Sequence, residues 1–328
     1  SDKLDTNSYF FFFKHLIYVL IGISLIFIFS SLNSDQLYKY SIFLFFISLI
    51  SLFLVPFVGV EVKGSKRWID LFFLPRFQPI EVLKPFLIII LATIFCDIRS
   101  NILFKYLISI ILISVISLFL IAQPDIGQTL LVVFCWATLI FTSGINIYIL
   151  LAIFIAGASL LTYLIIYVPR FDYIQGRIFS FFNRETGTHN FQSDKAIESI
   201  TSGGFFGKGI GEGVLKNRVP EAHTDYIISV ISEEFGVVAI MLILLLFLIL
   251  IYMVFKKISF ETNDKVKLIL IGSISLILMQ ATIHVGVNIR LFPTTGMTLP
   301  FLSYGGSSII STSILAGIIL NLTKRKIT

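Results

Sequence analysis

Nine runs of predominantly apolar residues divide this 328-residue chain, near residues 10–31, 40–58, 80–96, 102–121, 128–143, 146–168, 226–255, 266–289 and 301–322. They limit what it can fold into. A bilayer core about 30 Å thick takes about 20 apolar residues of α-helix to cross, and in lipid only helices and closed barrels satisfy every backbone polar group. The fifth run is short, and tilt or partial re-entry accommodates it. The chain therefore reads as an all-α integral membrane protein, a polytopic helical bundle of about nine spans in a single transmembrane domain over 1–328. Charged residues make up 13% of the sequence, about half the share of soluble domains, and too few residues lie between the runs for a second soluble domain.

Other classes are excluded by what is missing. Cys96 and Cys135 both fall in or at apolar runs, where free cysteine behaves as a small buried hydrophobe; they make neither a disulfide framework nor a metal site. The net charge of +6 fits membrane anchoring and anionic ligands. No nucleic acid partner is expected, because the longest basic run is Lys324-Arg325-Lys326 and no stacking aromatics are interleaved with it. The polar first residues do not have the charged region and apolar core of a signal peptide.

Two connections are long. The first, about 59–78, carries Lys63, Lys66, Arg67 and Arg76 around Trp68. The second, 169–225, holds seven basic residues, seven acidic residues and eight glycines. A loop of that length is functional or disordered more often than not, and its phenylalanines argue for packing or for lying on the membrane surface rather than disorder. Alternation of the spans puts both loops on one face. Lysines and arginines are spread over both faces, so the positive-inside rule leaves the orientation undecided.

At the end of the long loop, Asp225, Ser229, Ser232, Glu233 and Gly236 form a polar stripe at helical period. Ionisable groups within a span cost roughly 2.5–3.5 kcal/mol on insertion scales and so tend to face a cavity, a partner or a pathway. The stripe is expected to mark a site. On the same face, Gln78-Pro79-Ile80-Glu81 opens the third span, with Glu81 and Lys84 on one side of a helix turn. Asp125 stands in a tight turn as a candidate N-cap, and Gln280, His284 and Asn288 recur every four residues, a pattern suited to interhelical hydrogen bonds. The glycine run Gly203–Gly213 lacks the GK[ST] of a phosphate loop and the surroundings of a dinucleotide fingerprint. It is a hinge or turn, or else a place where backbone N–H groups and Lys208 approach a phosphate. His15 and His189 read as interfacial and loop histidines.

Two acids, Glu81 and Asp225, and the cation Lys84 thus open onto one face beside basic loops and an apolar body. This suits a substrate with a lipid tail and a charged head. A diphosphate leaving group needs cations or a metal for stabilisation, and a single general base then suffices, unlike the paired carboxylates of glycoside hydrolysis.

The motifs GSKRWID, QPIEVLK, QPDIGQ, SGGFFGKGIGEG, PEAHTDY, EEFG and PTTGMTLPFLSYGGSS occur in the order seen in the SEDS family of bacterial cell-wall glycosyltransferases, and the chain resembles that family over essentially its whole length. PEAHTD with PTTGMTLPF is more similar to FtsW, the division member, than to RodA, the elongation member. The resemblance implies ten helices with both ends cytoplasmic, so the nine runs correspond to the second through the tenth. It places the chain in the bacterial cytoplasmic (inner) membrane with its site facing the periplasm, and implies polymerisation of lipid II, the undecaprenyl-diphosphate-linked disaccharide peptide. Asp225 matches the family's essential aspartate and is assigned as general base. Glu81, Lys84 and Gln78, with His223, Thr224 and Lys208, are assigned to substrate binding. Glu233, Glu234, Ser303 and Gly305 are structural or cavity-lining. No cofactor is required by the motifs, though a divalent cation (Mg or Mn) is a candidate, with Glu81 either its ligand or the acid orienting Lys84. Partners implied are a class B penicillin-binding transpeptidase, divisome proteins and membrane lipid. Two departures stand out: Ile80 replaces a serine, and Arg290 replaces a glycine at the mouth of the cavity. The rival readings are a lipid II flippase, whose polar stripes and broken helices would look alike, and a non-catalytic scaffold.

Overall fold

The computed structural model describes residues 10–62, 65–71, 74–182 and 188–324. Lys63, Gly64, Arg325 and Lys326 of the motifs above lie outside them, as does the side chain of His189. All nine apolar runs are α-helical: α1 (Phe10–Ser31), α2 (Ser34–Val58), α3 (Pro79–Cys96), α4 (Ile102–Ala122), α5 (Ile126–Thr142) and α6 (Ile147–Tyr167), then, after the large loop, α9 (Ile227–Phe260), α10 (Asp264–Asn288) and α11 (Gly306–Thr323). Eight are long and apolar enough to cross a membrane, while α5, at 17 residues, is the short one.

Local chemistry moves two boundaries. The second helix starts at Ser34 rather than at 40, because Asn33 and Gln36 form a capping box ahead of it. The last helix starts at Gly306 rather than 301: Phe301 takes φ +66 and Gly305 is extended, so the chain enters α11 only after a non-helical stretch. The first long loop is not irregular. Its strands β1 (Val60–Val62), β2 (Ser65–Leu71) and β3 (Leu74–Phe77) pair antiparallel in the order β1-β2-β3. Lys66 and Asp70 are exposed while Ile69 between them is buried, the period-two alternation of a strand. The second long loop contains α7 (Asp172–Phe182) and α8 (Thr188–Gly203), which agrees with its aromatic content.

The chain divides into two compact units. The first comprises residues 1–139, 251–277 and 300–328. In it α3 is largely buried and packs on α2, α4 and α11, and α11 also packs along α1. That last contact is close because it runs over glycines: a Cβ on Gly306 would fall 2.2 Å from the Tyr18 ring, and one on Gly22 2.6 Å from Ser313 Oγ, the small-residue packing typical of membrane helices. Asn321 Nδ2 donates to the carbonyls of Phe29 and Leu32 at 2.8 and 2.6 Å, closing the far end of the pair.

The second unit comprises 140–250 and 278–299. Ile228, Ala281 and Leu299 form its apolar centre, with Ile240, Phe247 and Val285 packed around them. Here α9 is broken at Gly236, which has φ +77 and ψ −178. The break is filled by the glycine run. Lys208 and Gly209 N–H donate to the carbonyls of Glu233 and Glu234 at 2.9 and 3.0 Å, and Val237 and Val238 N–H donate to Gly204 and Phe205 at 3.0 and 3.2 Å. Main chain therefore replaces the helical hydrogen bonds lost at the break.

Candidate functional site

Each unit carries one polar constellation. In the first unit it grows from the start of α3. Pro79 at the first helical position suits a helix that begins abruptly, and the turn that follows puts Glu81 and Lys84 side by side. Lys84 is 1% exposed and Glu81 3%. Lys84 Nζ lies 2.9 Å from Glu81 Oε2 and 3.0 Å from Gln128 Oε1, and Gln128 Nε2 donates to the other Glu81 oxygen. Two full charges are tolerated at this depth because each meets the other and a shared amide.

The turn before α5 extends the network. Gln78 Nε2 donates to Asp125 Oδ2 at 2.7 Å, and Gln78 N–H donates to Ser307 Oγ at 2.9 Å. Asp125 Oδ1 accepts from Gln128 N–H at 3.4 Å, the expected N-cap geometry, and also faces Arg67 of β2 at 3.8 Å. The Arg67 guanidinium donates to the carbonyls of Gln123 and Pro124 as well, tying the β-sheet to the turn. Burial pushes the Asp125 carboxyl above its ordinary range, against the lowering pull of Arg67. Ser303 is buried, and Gly305 is the extended N-cap of α11.

In the second unit, Asp225 sits where the large loop becomes α9. Glu221, at φ +54, turns its carbonyl to accept from the N–H groups of Thr224, Asp225 and Tyr226 at 3.0, 3.1 and 3.4 Å. Thr224 Oγ1 also bonds Glu221, and His223 is exposed. The Asp225 carbonyl accepts from Asn288 Nδ2 at 3.0 Å. Beside it runs the segment 293–299: a Cβ on Gly296, at φ +72, would lie 3.7 Å from Asp225 Oδ2. That segment is held by the α10 stripe. His284 Nδ1 meets Met297 O at 2.7 Å, and Gln280 Nε2 donates to Thr298 O at 3.0 Å. From the loop helices, Arg177 donates to Thr294 O at 3.3 Å and Arg290 pairs with Asp194. Arg290 adopts φ +58, a conformation natural to glycine.

The polar stripe on α9 has another destination. Ser229, Ser232 and Glu233 are fully buried, and they face α8 of the loop. Ser199 Oγ donates to Glu233 Oε2 at 2.9 Å and to Ser229 O at 3.2 Å, while Ser232 Oγ donates to Ile200 O at 3.3 Å. Glu233 Oε1 accepts from Leu215 N–H at 2.9 Å and lies 3.5 Å from Lys208 Nζ. Glu234 Oε1 accepts from Gly211 N–H at 3.2 Å. Helical period located the stripe correctly, but below Asp225 it joins helix to loop. Lys208, assigned to substrate binding, lies 3.5 Å from Glu233, and the glycine run, read as a hinge or turn or else a phosphate approach, is bonded to the α9 backbone.

Glu81, Lys84 and Gln78 are thus brought together in the first unit, and Asp225, Thr224 and the α10 stripe in the second. Sequence reasoning passed over Gln128 and Arg67 as partners of the buried charges. Their only signal was membership of the QPDIGQ and SKRW motifs. The tie from Asn288 to Asp225 was missed too, although the four-residue recurrence had singled out Asn288.

The class defined by these features is a polytopic helical membrane protein with buried charges at the ends of its spans. The sequence profile of the FtsW/RodA/SpoVE family, described as "Cell cycle protein", matches residues 1–327, and the chain belongs to that family. It is 32% identical to the probable peptidoglycan glycosyltransferase FtsW of Haemophilus influenzae over 335 residues, 98% of this chain and 83% of that protein. It is 29% identical to the protein of that name from Caulobacter vibrioides over 338 residues, 99% of this chain and 83% of the relative. Among solved structures, a chain from a peptidoglycan synthase complex that coordinates polymerization and crosslinking superimposes with a TM-score of 0.81 at 26% identity, covering 95% of this chain and 89% of that one.

Proposed function

We propose that this chain is a peptidoglycan glycosyltransferase that polymerises lipid II at the periplasmic face of the cytoplasmic membrane, in septal synthesis during division. One observation carries the reading. Asp225 stands at the junction of loop and α9 with its main chain bonded on both sides, to Glu221 and to Asn288, and its carboxylate lies beside the backbone of Gly296.

In this role Asp225 takes the proton from the 4-hydroxyl of the acceptor sugar as that oxygen attacks the anomeric carbon of the donor. The new glycosidic bond forms, the bond from the anomeric carbon to the diphosphate breaks, and the lipid diphosphate leaves with the electron pair. General-base assistance of this kind is worth about 10²–10⁴-fold. Lys84 and Gln78 are proposed to serve the charged head of the substrate, with Glu81 orienting Lys84. Among the described residues no three His, Cys, Asp or Glu side chains come together, and Glu81 is already engaged by Lys84 and Gln128. These residues do not fit a resident cation. Mg or Mn is proposed instead to arrive on the diphosphate, the usual way Mg is shared between protein and phosphate. The partner proposed is a class B penicillin-binding transpeptidase, with other divisome proteins.

The test is glycan-strand formation from purified lipid II by the protein with its cognate transpeptidase, beside an Asp225→Ala protein shown to fold and to bind that partner. Polymer from the first and none from the second is expected. Equal polymer from both removes Asp225 from catalysis. No polymer from either, with the partner bound, returns the flippase and scaffold readings.

A further inference from the structure

The tip of the glycine run presents large apolar side chains to the outside. Phe205 is 75% exposed, Phe206 84% and Ile210 78%, with Val214 beside them also exposed. On a loop in water such a cluster is costly, and grouped exposed apolar surface marks an interaction site. The tip is also fixed. Its main chain is bonded into the α9 break at four points, and no side chain fits at the crossings: a Cβ on Gly207 would fall 2.2 Å from Glu234 O, and one on Gly236 2.2 Å from Phe205 O. The phenylalanines therefore stay level with Gly236.

The depth of that level follows from α9 itself. Beyond the break, Val237 to Phe255 is an uninterrupted run of 19 uncharged residues, followed by Lys256 and Lys257. At about 1.5 Å per residue it is about 28 Å long, close to the roughly 30 Å of hydrocarbon in a bilayer. Its side chains are exposed from the start, with Val237, Val238, Met241 and Leu242 all facing outward. Lipid is what covers such a surface. Gly236 then marks the outer edge of the hydrocarbon, and the tip bonded to it lies at that edge. The cation of the tip, Lys208, is 3.5 Å from Glu233, and its exposed acid, Glu212, follows Ile210 by two residues.

We propose that Phe205, Phe206 and Ile210 are an interfacial anchor, inserted among lipid head groups and the first acyl carbons beside α9. The anchor fixes how deep the large loop sits, and with it the α8 helix that holds the α9 stripe below Asp225. The proposal does not depend on the activity, and its test reads no turnover.

The full-length protein, with Cys96 and Cys135 replaced by alanine, is spin-labelled through Phe206→Cys and, separately, Ile210→Cys. Each is placed in lipid nanodiscs without any partner chain. Collision rates with oxygen, which concentrates in lipid, and with a nickel chelate, which stays in water, are measured by EPR. Two references lie at known levels: Leu245→Cys in the exposed middle of α9 and Thr262→Cys in the turn after it. The expected oxygen-to-nickel ratio at 206 and 210 falls between the two references and above one. A ratio equal to that at Thr262 would place the tip in water and overturn the anchor. Low access to both reagents would overturn it too, showing that protein, such as a second copy of the chain, covers the tip.

Discussion

Glu81 and Asp225 are both acids at the ends of spans, and the bonds that fix them include different parts of each residue. Glu81 is gripped through its side chain, with Lys84 on one oxygen and Gln128 on the other. Asp225 is gripped through its main chain, with Glu221 receiving its N–H and Asn288 donating to its carbonyl. A carboxylate held the first way is neutralised by the groups that hold it, so its charge is spent on structure and on setting Lys84. One held the second way has its place in the chain fixed by backbone bonds. The first arrangement fixes a side chain against its neighbours, and the second fixes the stretch of backbone from which a side chain projects.

The comparison breaks most visibly at Lys84. Replacing Lys84 with Met leaves Glu81 buried without its counter-ion, which typically costs about 3–5 kcal/mol. Thermal unfolding in detergent should show that loss, and the double variant Glu81→Gln/Lys84→Met should recover most of it. Asp225→Asn, which keeps the shape of the side chain, should abolish polymerisation while lowering the unfolding midpoint less than Lys84→Met. If Lys84→Met is as stable as the parent, the pair is hydrated and the contrast with Asp225 fails.

A smaller effect is expected at Asn288. Its amide donates to two carbonyls, those of Asp225 and His284, and Asn288→Ala leaves both without that donor. The cost is about 1–3 kcal/mol in a buried setting. If main-chain positioning is what serves Asp225, turnover falls about tenfold with KM little changed. Loss of stability with turnover intact would mean that Asn288 serves only the packing of α10.

Much of this was legible in the sequence. The apolar runs gave all nine helices because length and hydrophobicity suffice for a span, and the i, i+3 spacing of Glu81 and Lys84 predicted a contact within one helix turn. Contacts made between distant segments were not legible. Arg67 is 58 positions from Asp125, and Gln128 is 47 from Glu81, and nothing local announces either pairing. The α9 stripe was misread for a related reason. Helical period tells which side chains share a face but not what that face meets, and here it meets α8. The glycine run read as a hinge or turn, but which backbone it would meet, that of α9, was not legible.

The mildest effect tests where the first region ends. Asp125 joins it through Gln78 and Gln128, yet it is also the only acid of the network in a turn rather than a span, with Arg67 3.8 Å away. Burial raises its pKa, and Arg67 and the Gln128 N–H only partly oppose that. A raised carboxyl binds its proton more tightly in the folded chain than in the unfolded one. The stability it contributes is therefore fully present below the ordinary aspartate value of about 3.9 and is lost as pH rises through the raised folded value. Relative to Asp125→Asn, which does not titrate, the wild-type unfolding midpoint should fall as pH is raised from about 4 toward neutrality. The opposite slope would mean that Arg67 outweighs burial and holds Asp125 ionised. The turn would then be a second ion pair beside Glu81 and Lys84, and the side-chain-held region would extend from α3 through α5 to the β-sheet.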